Sequence, residues 1–219
     1  MEQKMRKIEK FPSPEILKEK GPVWKKKMLD YMQTGEKIPD LLINKYRHPK
    51  IKDVLINESF GKCVYCESKI LHIDYGDIEH IIPKSKEPIK SIEWENLTLS
   101  CGKCNQKKSD YYDPENPLVH PFTDTPEEEI YYFGPIAKAV PGSLKGELTV
   151  SLLELNRPEL IERRSELLNR MDNLLHLHKL SKGALKEELL KDIISYTEQD
   201  KEYSSLVQNL VQLLMSKVS

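Results

Sequence analysis

Apolar residues fall at helical spacing toward both ends of this chain and in short alternating runs through its middle. Ser13-Pro14-Glu15 predicts a helix start with Pro14 in the first turn, and Gly21-Pro22 is expected to stop that short helix. Val23 to Gln33 predicts another, with Val23, Lys27 and Tyr31 four residues apart and Trp24, Met28 and Met32 beside them. Gly35 and Pro39 break the chain, and Asp40 is expected to cap a helix over Leu41 to Tyr46. His48-Pro49 separates this from Ile51 to Ser59, whose face is Ile51, Val54, Leu55 and Ile56; Gly61 then ends the helix.

In the middle, Ile78, Ile81 and Ile82 predict a strand that Pro83 terminates, and Lys84 to Ser91 reads as a polar loop. Leu97-Thr98-Leu99 predicts a second strand, followed by a helix from Asn105 to Asp110. The unit is a hairpin with a helix across it. It is too small to bury a real core, so it needs a metal staple. Residues 111–150 are rich in Tyr, Pro and acid and read as a loop-rich connector with a short sheet near Ile130 to Phe133. Beyond Pro158, three apolar faces predict three helices: Leu160 to Leu175, Leu185 to Ile194 and Leu206 to Val218. The expected fold class is α+β, mainly helical. Its stretches are an N-terminal helical segment (1–60), a metal-stapled core (61–112), the connector (113–150) and a C-terminal helical region (151–219).

Composition narrows the picture. With 38% hydrophobic and 32% charged residues, the 219-residue chain suits modest cores and long solvated helices. A formal net charge of -1 means that any basic surface must be local. Lys25, Lys26, Lys27, Lys45, Arg47, Lys50 and Lys52 supply a solvated helix surface or, in the sharper reading, a phosphate-facing patch. The charged start, Met1 to Lys10, predicts no secretory signal, and no apolar run would span a bilayer. A cytoplasmic location is expected.

All four cysteines lie in two C-x-x-C pairs, Cys63/Cys66 and Cys101/Cys104. Two thiolate pairs complete a tetrahedral zinc shell with no place for water, which makes the metal structural. Two disulfides are the alternative; twin C-x-x-C pairs without an export signal favour metal.

The loop closed by this staple holds the chemistry. Cleaving a phosphodiester needs a base for water and a divalent cation for the leaving oxygen. His80 is the candidate base, and Glu79 a hard ligand suited to Mg²⁺ or Mn²⁺. Neighbours on a strand point to opposite faces, so both reach one phosphate only if a strand end or bulge turns them. Asn105 offers a second oxygen ligand, and Asn96 is expected to orient the backbone carrying His80. His48, His72 and His120 read as packing or surface residues. Arg157 and Arg163-Arg164 read equally as solvated helix-start charges or as a clamp for phosphate or an acidic partner.

Glu79-His80-Ile81-Ile82-Pro83, Asn96-Leu97 and Cys101-x-x-Cys104-Asn105-x-x-Lys108 resemble the four-cysteine class of HNH endonucleases. The resemblance implies a ββα-metal fold. It makes His80 the base, Asn96 the loop organiser, and Glu79 and Asn105 the ligands of a catalytic Mg²⁺ or Mn²⁺. Lys108, Lys107 and Lys84 would face nucleic acid. Asn105 stands where many members have His, and Glu79 where Asp is commoner; Asp77 is a spare carboxylate. Met5 to Lys10, Gly61 to Glu67, Asn116-Pro117-Leu118 and Leu155-Asn156-Arg157-Pro158-Glu159-Leu160 with Arg163-Arg164 extend the likeness to the PtuB-like nucleases of Septu and retron-linked anti-phage systems. That implies DNA cleavage in a complex with a PtuA-like ABC-type ATPase, with a retron RNA–DNA hybrid as a further associate. No Walker motif occurs in the chain itself. The alternatives are a zinc-stapled adaptor that cuts nothing and an RNase using the same site.

Overall fold

The computed structural model describes residues 7–70 and 75–216, with side chains described through residue 212. The readings of Met5, Arg6 and His72 lie outside the described residues. The chain divides into two compact units, Ile8–Tyr65 with Lys69–Pro117, and Leu118–Ser219 with Cys66–Ser68 and Met1–Lys7.

The first unit opens with α1 (Glu15–Thr34), which runs straight through Gly21-Pro22 where a break is expected from sequence. Ile16, Leu17 and Met28 are buried on either side of the proline, so packing holds both halves in one helix. Pro22 itself is exposed, so water can serve the carbonyl that its missing N–H leaves free. After Gly35, in the left-handed conformation, come α2 (Asp40–Ile43), a 3₁₀ turn over Asn44–Arg47, and α3 (Pro49–Glu58). His48 caps α3, its Nδ1 accepting from the Lys50 N–H at 3.2 Å. Gly61, at φ 66, closes that helix by donating to the Ile56 carbonyl at 2.8 Å.

Strands β1 (Asp77–His80) and β2 (Leu97–Ser100) pair antiparallel, with Asp77 opposite Ser100 and His80 opposite Leu97. Gly76 leads into β1 at φ 69, and an added Cβ there would meet Leu99 Cδ1 at 3.2 Å. Helix α4 (Gly102–Lys108) follows and begins at Gly102, earlier than sequence predicts, because Cys101 acts as its cap. The hairpin buries Leu97 and Leu99 with Met28, Ile51 and Leu55, joining the N-terminal helices to the hairpin in one core. Trp94 Nε1 donates to the Phe11 carbonyl at 2.6 Å. Lys10 bonds Glu58 at 2.8 Å and the Leu97 carbonyl at 2.7 Å, so the segment before α1 is tied to the sheet.

The second unit holds a hairpin, β3 (Ile130–Phe133) against β4 (Ile136–Ala139), then α5 (Leu144–Leu152), α6 (Pro158–Leu180), α7 (Gly183–Ser195) and α8 (Ser204–Ser216). Helix α5 lies within the expected loop-rich connector; Ser143 starts it by accepting from the Gly146 N–H at 2.8 Å. Met171, Ile193 and Val207 are central to the core that α6, α7 and α8 share. Asn156 braces the edge of β4, accepting from the Ala137 N–H and donating to its carbonyl, both at 2.8 Å. Arg164 is fully buried, gives Nη1 to the Leu155 carbonyl at 2.7 Å, and lies over the Tyr132 and Tyr203 rings. Glu67, at φ 62, accepts from the Ser205 N–H at 3.2 Å and from its hydroxyl.

Candidate active site and metal centre

Chain geometry brings the four cysteines together without a disulfide. Val64 N–H donates to the Leu99 carbonyl at 3.1 Å, stitching the first C-x-x-C turn beside β2. The second pair straddles the start of α4, where Cys101 Sγ accepts from the Cys104 N–H at 3.5 Å. The four ligand sulfurs lie within 4.8 Å of one another. Thiolates about 2.3 Å from a shared zinc stand close enough together to match that cluster. Cys63, Cys66 and Cys104 are buried, and Arg157 Nη2 lies 3.8 Å from Cys66 Sγ. An arginine donating to a buried sulfur favours the thiolate, so the donor set fits a zinc ion. The Arg157 role was not legible in the sequence, because nothing in its helix-start motif points to a sulfur ninety residues away.

Strand alternation distributes the catalytic candidates. Asp77 and Glu79 share the face of β1 that meets α4, and Asn105 and Lys108 share the facing side of α4. Asn105 Nδ2 donates to Asp77 Oδ2 at 2.8 Å, and Lys108 Nζ lies 2.7 Å from Glu79 Oε1. Burial raises the Glu79 carboxyl above its ordinary range, and the Lys108 ammonium opposes that rise. Lys108, expected to face a phosphate, is only 4% exposed and also donates to the His80 carbonyl at 2.8 Å. Its charge is spent inside the hairpin. Lys107 stays exposed, and Lys84 is half-buried.

His80 points the other way. Its ring meets Tyr46 edge-on, with centroids 4.4 Å apart, and its Nε2 lies 3.1 Å from the Ser91 carbonyl oxygen. The bulge that would turn Glu79 and His80 to one point is not formed, since both pair in register with β2. A carbonyl only accepts, so Nε2 must carry the proton and Nδ1 the lone pair. Among the described residues no hydrogen bond occupies Nδ1. Burial drives the imidazole down to about 4; the Ser91 bond opposes the drop, and the charges of Lys84, Lys108 and Arg47 add to it. The ring is therefore neutral at pH 7, which a proton acceptor requires.

Asn96 holds the loop beyond His80. Its Oδ1 accepts from the Ile82 N–H at 2.7 Å, and its Nδ2 donates to the Ile82 and Lys90 carbonyls, both at 3.0 Å. This amide is fully engaged with backbone and is a positioning group. The other candidates belong to the second unit. His120 Nδ1 accepts from the Phe122 and Thr123 N–H groups and organises its own turn. Arg163 pairs with Glu166 at 3.3 Å and Glu202 at 3.8 Å. No helix among the described residues is long and apolar enough to cross a membrane.

Comparison with known proteins agrees with this geometry. The family described as HNH endonuclease matches residues 63–111, which span both cysteine pairs and the His80 hairpin. The Septu protein PtuB of Bacillus thuringiensis is 34% identical over 129 residues, covering 58% of this chain and 47% of that protein. The Septu protein PtuB of Bacillus mycoides (strain KBAB4) is 29% identical over 204 residues, covering 77% of this chain and 67% of that protein. The Septu protein PtuA of Bacillus mycoides (strain KBAB4) is 26% identical over 176 residues, covering 67% of this chain and 24% of that protein. The chain thus spans about half the length of the first of these relatives. Residues 63–111 match the HNH endonuclease family, and the chain around them is similar to the Septu proteins PtuB.

Proposed function

We propose that this chain is a metal-dependent endonuclease that hydrolyses phosphodiester bonds of DNA within a Septu-type defence complex. The observation that carries the proposal is the His80 ring, its Nε2 3.1 Å from the Ser91 carbonyl oxygen and its Nδ1 without a hydrogen bond among the described residues. His80 Nδ1 takes a proton from water, the water oxygen attacks phosphorus, and the bond to the leaving sugar oxygen breaks. The Ser91 carbonyl holds the ring in the required tautomer, and Asn96, bonded to the Ile82 N–H and to the carbonyl of Lys90, fixes the backbone immediately before Ser91.

The hard oxygen donors, Asp77, Glu79 and Asn105, lie on the opposite face of β1 from the His80 ring. With Glu79 tied to Lys108, we assign the Asp77 carboxylate and the Asn105 amide oxygen to hold Mg²⁺ or Mn²⁺; the Asn105 Nδ2–H bond to Asp77 at 2.8 Å keeps the two side chains together. A cation held there would stabilise charge on the leaving oxygen of a phosphate that lies across the end of β1, within reach of both faces. The zinc ligated by Cys63, Cys66, Cys101 and Cys104 would remain structural. The likeness to proteins named PtuB and PtuA supports placing the chain beside a PtuA-like ATPase.

The test is cleavage of plasmid DNA and of a matched RNA by the chain with its ATPase, in Mg²⁺ or Mn²⁺. Cleavage of DNA that His80→Ala abolishes supports the proposal. Cleavage confined to RNA, or cleavage unaffected by His80→Ala, overturns it.

A further inference from the structure

Tyr46 lies outside the matched HNH stretch, yet its ring packs T-shaped with His80. Its phenol oxygen is shared by two cations. Lys84 Nζ donates to it at 3.0 Å and Arg47 Nε at 3.2 Å. Both cations also flank the ring face, at 5.1 Å for Lys84 and 5.7 Å for Arg47. Asn44 Oδ1 lies 3.5 Å from Lys84 Nζ. Among the described residues, neither Arg47 nor Lys84 forms an ion pair with a carboxylate. The terminal Nη1 and Nη2 groups of Arg47 are likewise unengaged there, and Arg47 is exposed.

Gathering two uncompensated cations on one oxygen costs electrostatic free energy that an anion between them would recover. The phenol accepts from both cations, so its own proton is left to donate outward. The 3₁₀ turn also borders an open cleft of about 440 Å³ lined by Asp40, Leu41, Asn44, Lys45, Arg47 and His48. A guanidinium fork, an ammonium and a hydroxyl converging next to a base match the needs of a phosphodiester oxygen pair.

We propose that Tyr46, Arg47 and Lys84 form a subsite for the nucleic-acid backbone, gripping a phosphate beside the one presented to His80. This rests on the endonuclease reading and names a specific place where the substrate is held. The N-terminal helical segment would then be part of the binding surface, and Tyr46 would couple the grip to the ring of the base.

The experiment is fluorescence anisotropy of a labelled DNA duplex with the full chain, without divalent cations, across 50 to 200 mM salt. Arg47→Met and Lys84→Met are each expected to weaken binding about tenfold at low salt and to lower the slope of log K against log salt by about 0.9. Tyr46→Phe keeps the ring against His80 and is expected to weaken binding severalfold. Lys186→Met, an equal charge loss on α7, is expected to bind within twofold of the wild type. Wild-type affinity in Arg47→Met and Lys84→Met overturns the subsite, as does equal loss in Lys186→Met or no salt-dependent binding at all. Cleavage measured in parallel separates the two readings. Cleavage sensitive to His80→Ala with no binding defect in Arg47→Met removes the subsite alone. A binding defect without such cleavage removes the catalytic reading alone.

Discussion

Lys108 Nζ stands 2.7 Å from Glu79 Oε1 with both side chains about 95% enclosed, so α4 is bolted to β1 by a buried ion pair. Its ammonium also reaches the His80 carbonyl, and the pair therefore fixes the strand end that presents the base. Removing one partner strands the other charge in the interior. Lys108→Met or Glu79→Gln is expected to destabilise the protein by about 3–5 kcal/mol, while the Glu79→Leu/Lys108→Met double variant recovers most of that loss. Urea denaturation at pH 7 measures all three. Additive losses in the double variant would contradict the pairing.

Asn96 makes three hydrogen bonds to backbone around the loop that follows His80. Asn96→Ala leaves the Ile82 N–H and two carbonyls to find water, at a cost of roughly 2–4 kcal/mol. Because the Ser91 carbonyl rides on that loop, turnover is expected to fall more than substrate affinity does. Kinetics on the folded variant separates kcat from KM.

Stability should fall in mild acid through His80. Its ordinary value is 6.5 and its folded value about 4, so the unfolded chain binds the extra proton between those limits. The contribution is complete above pH 6.5 and is lost as pH falls toward 4. Between pH 7.5 and 5 the wild type should lose about 2 kcal/mol more than His80→Asn, read as the difference in urea unfolding at the two pH values.

Zinc should be required for the fold of the hairpin rather than for the chemical step. One tightly held zinc per chain is expected by metal analysis. Cys104→Ser, at a buried position, should lower zinc content and melting temperature together. Retained zinc and an unchanged melting temperature would contradict the closed four-sulfur site.

Much of the hairpin was legible because spacing alone carries it: cysteine pairs, a proline-ended strand and an alternating Leu-Thr-Leu run. The continuity of α1 through Pro22 was not, since burial of Ile16, Leu17 and Met28 overrides a local break signal. The pairing of Asp77 with Asn105 and Glu79 with Lys108 left a usable trace. Residues two apart on a strand share a face, and residues three apart on a helix share one, so the two pairs match in register. The Tyr46 contact had no sequence signal, because it depends on how a 3₁₀ turn packs on a residue thirty-four positions away.

Catalysis by His80 requires one protonation state of its ring. Nitrogen NMR of the His80 imidazole in the intact protein, followed from pH 8 to 4, reads it directly. The expected result is a proton on Nε2 only, a bare Nδ1 at pH 7, and no double protonation until the pH nears 4. A proton on Nδ1 at pH 7, or a titration midpoint near 6.5, would contradict it.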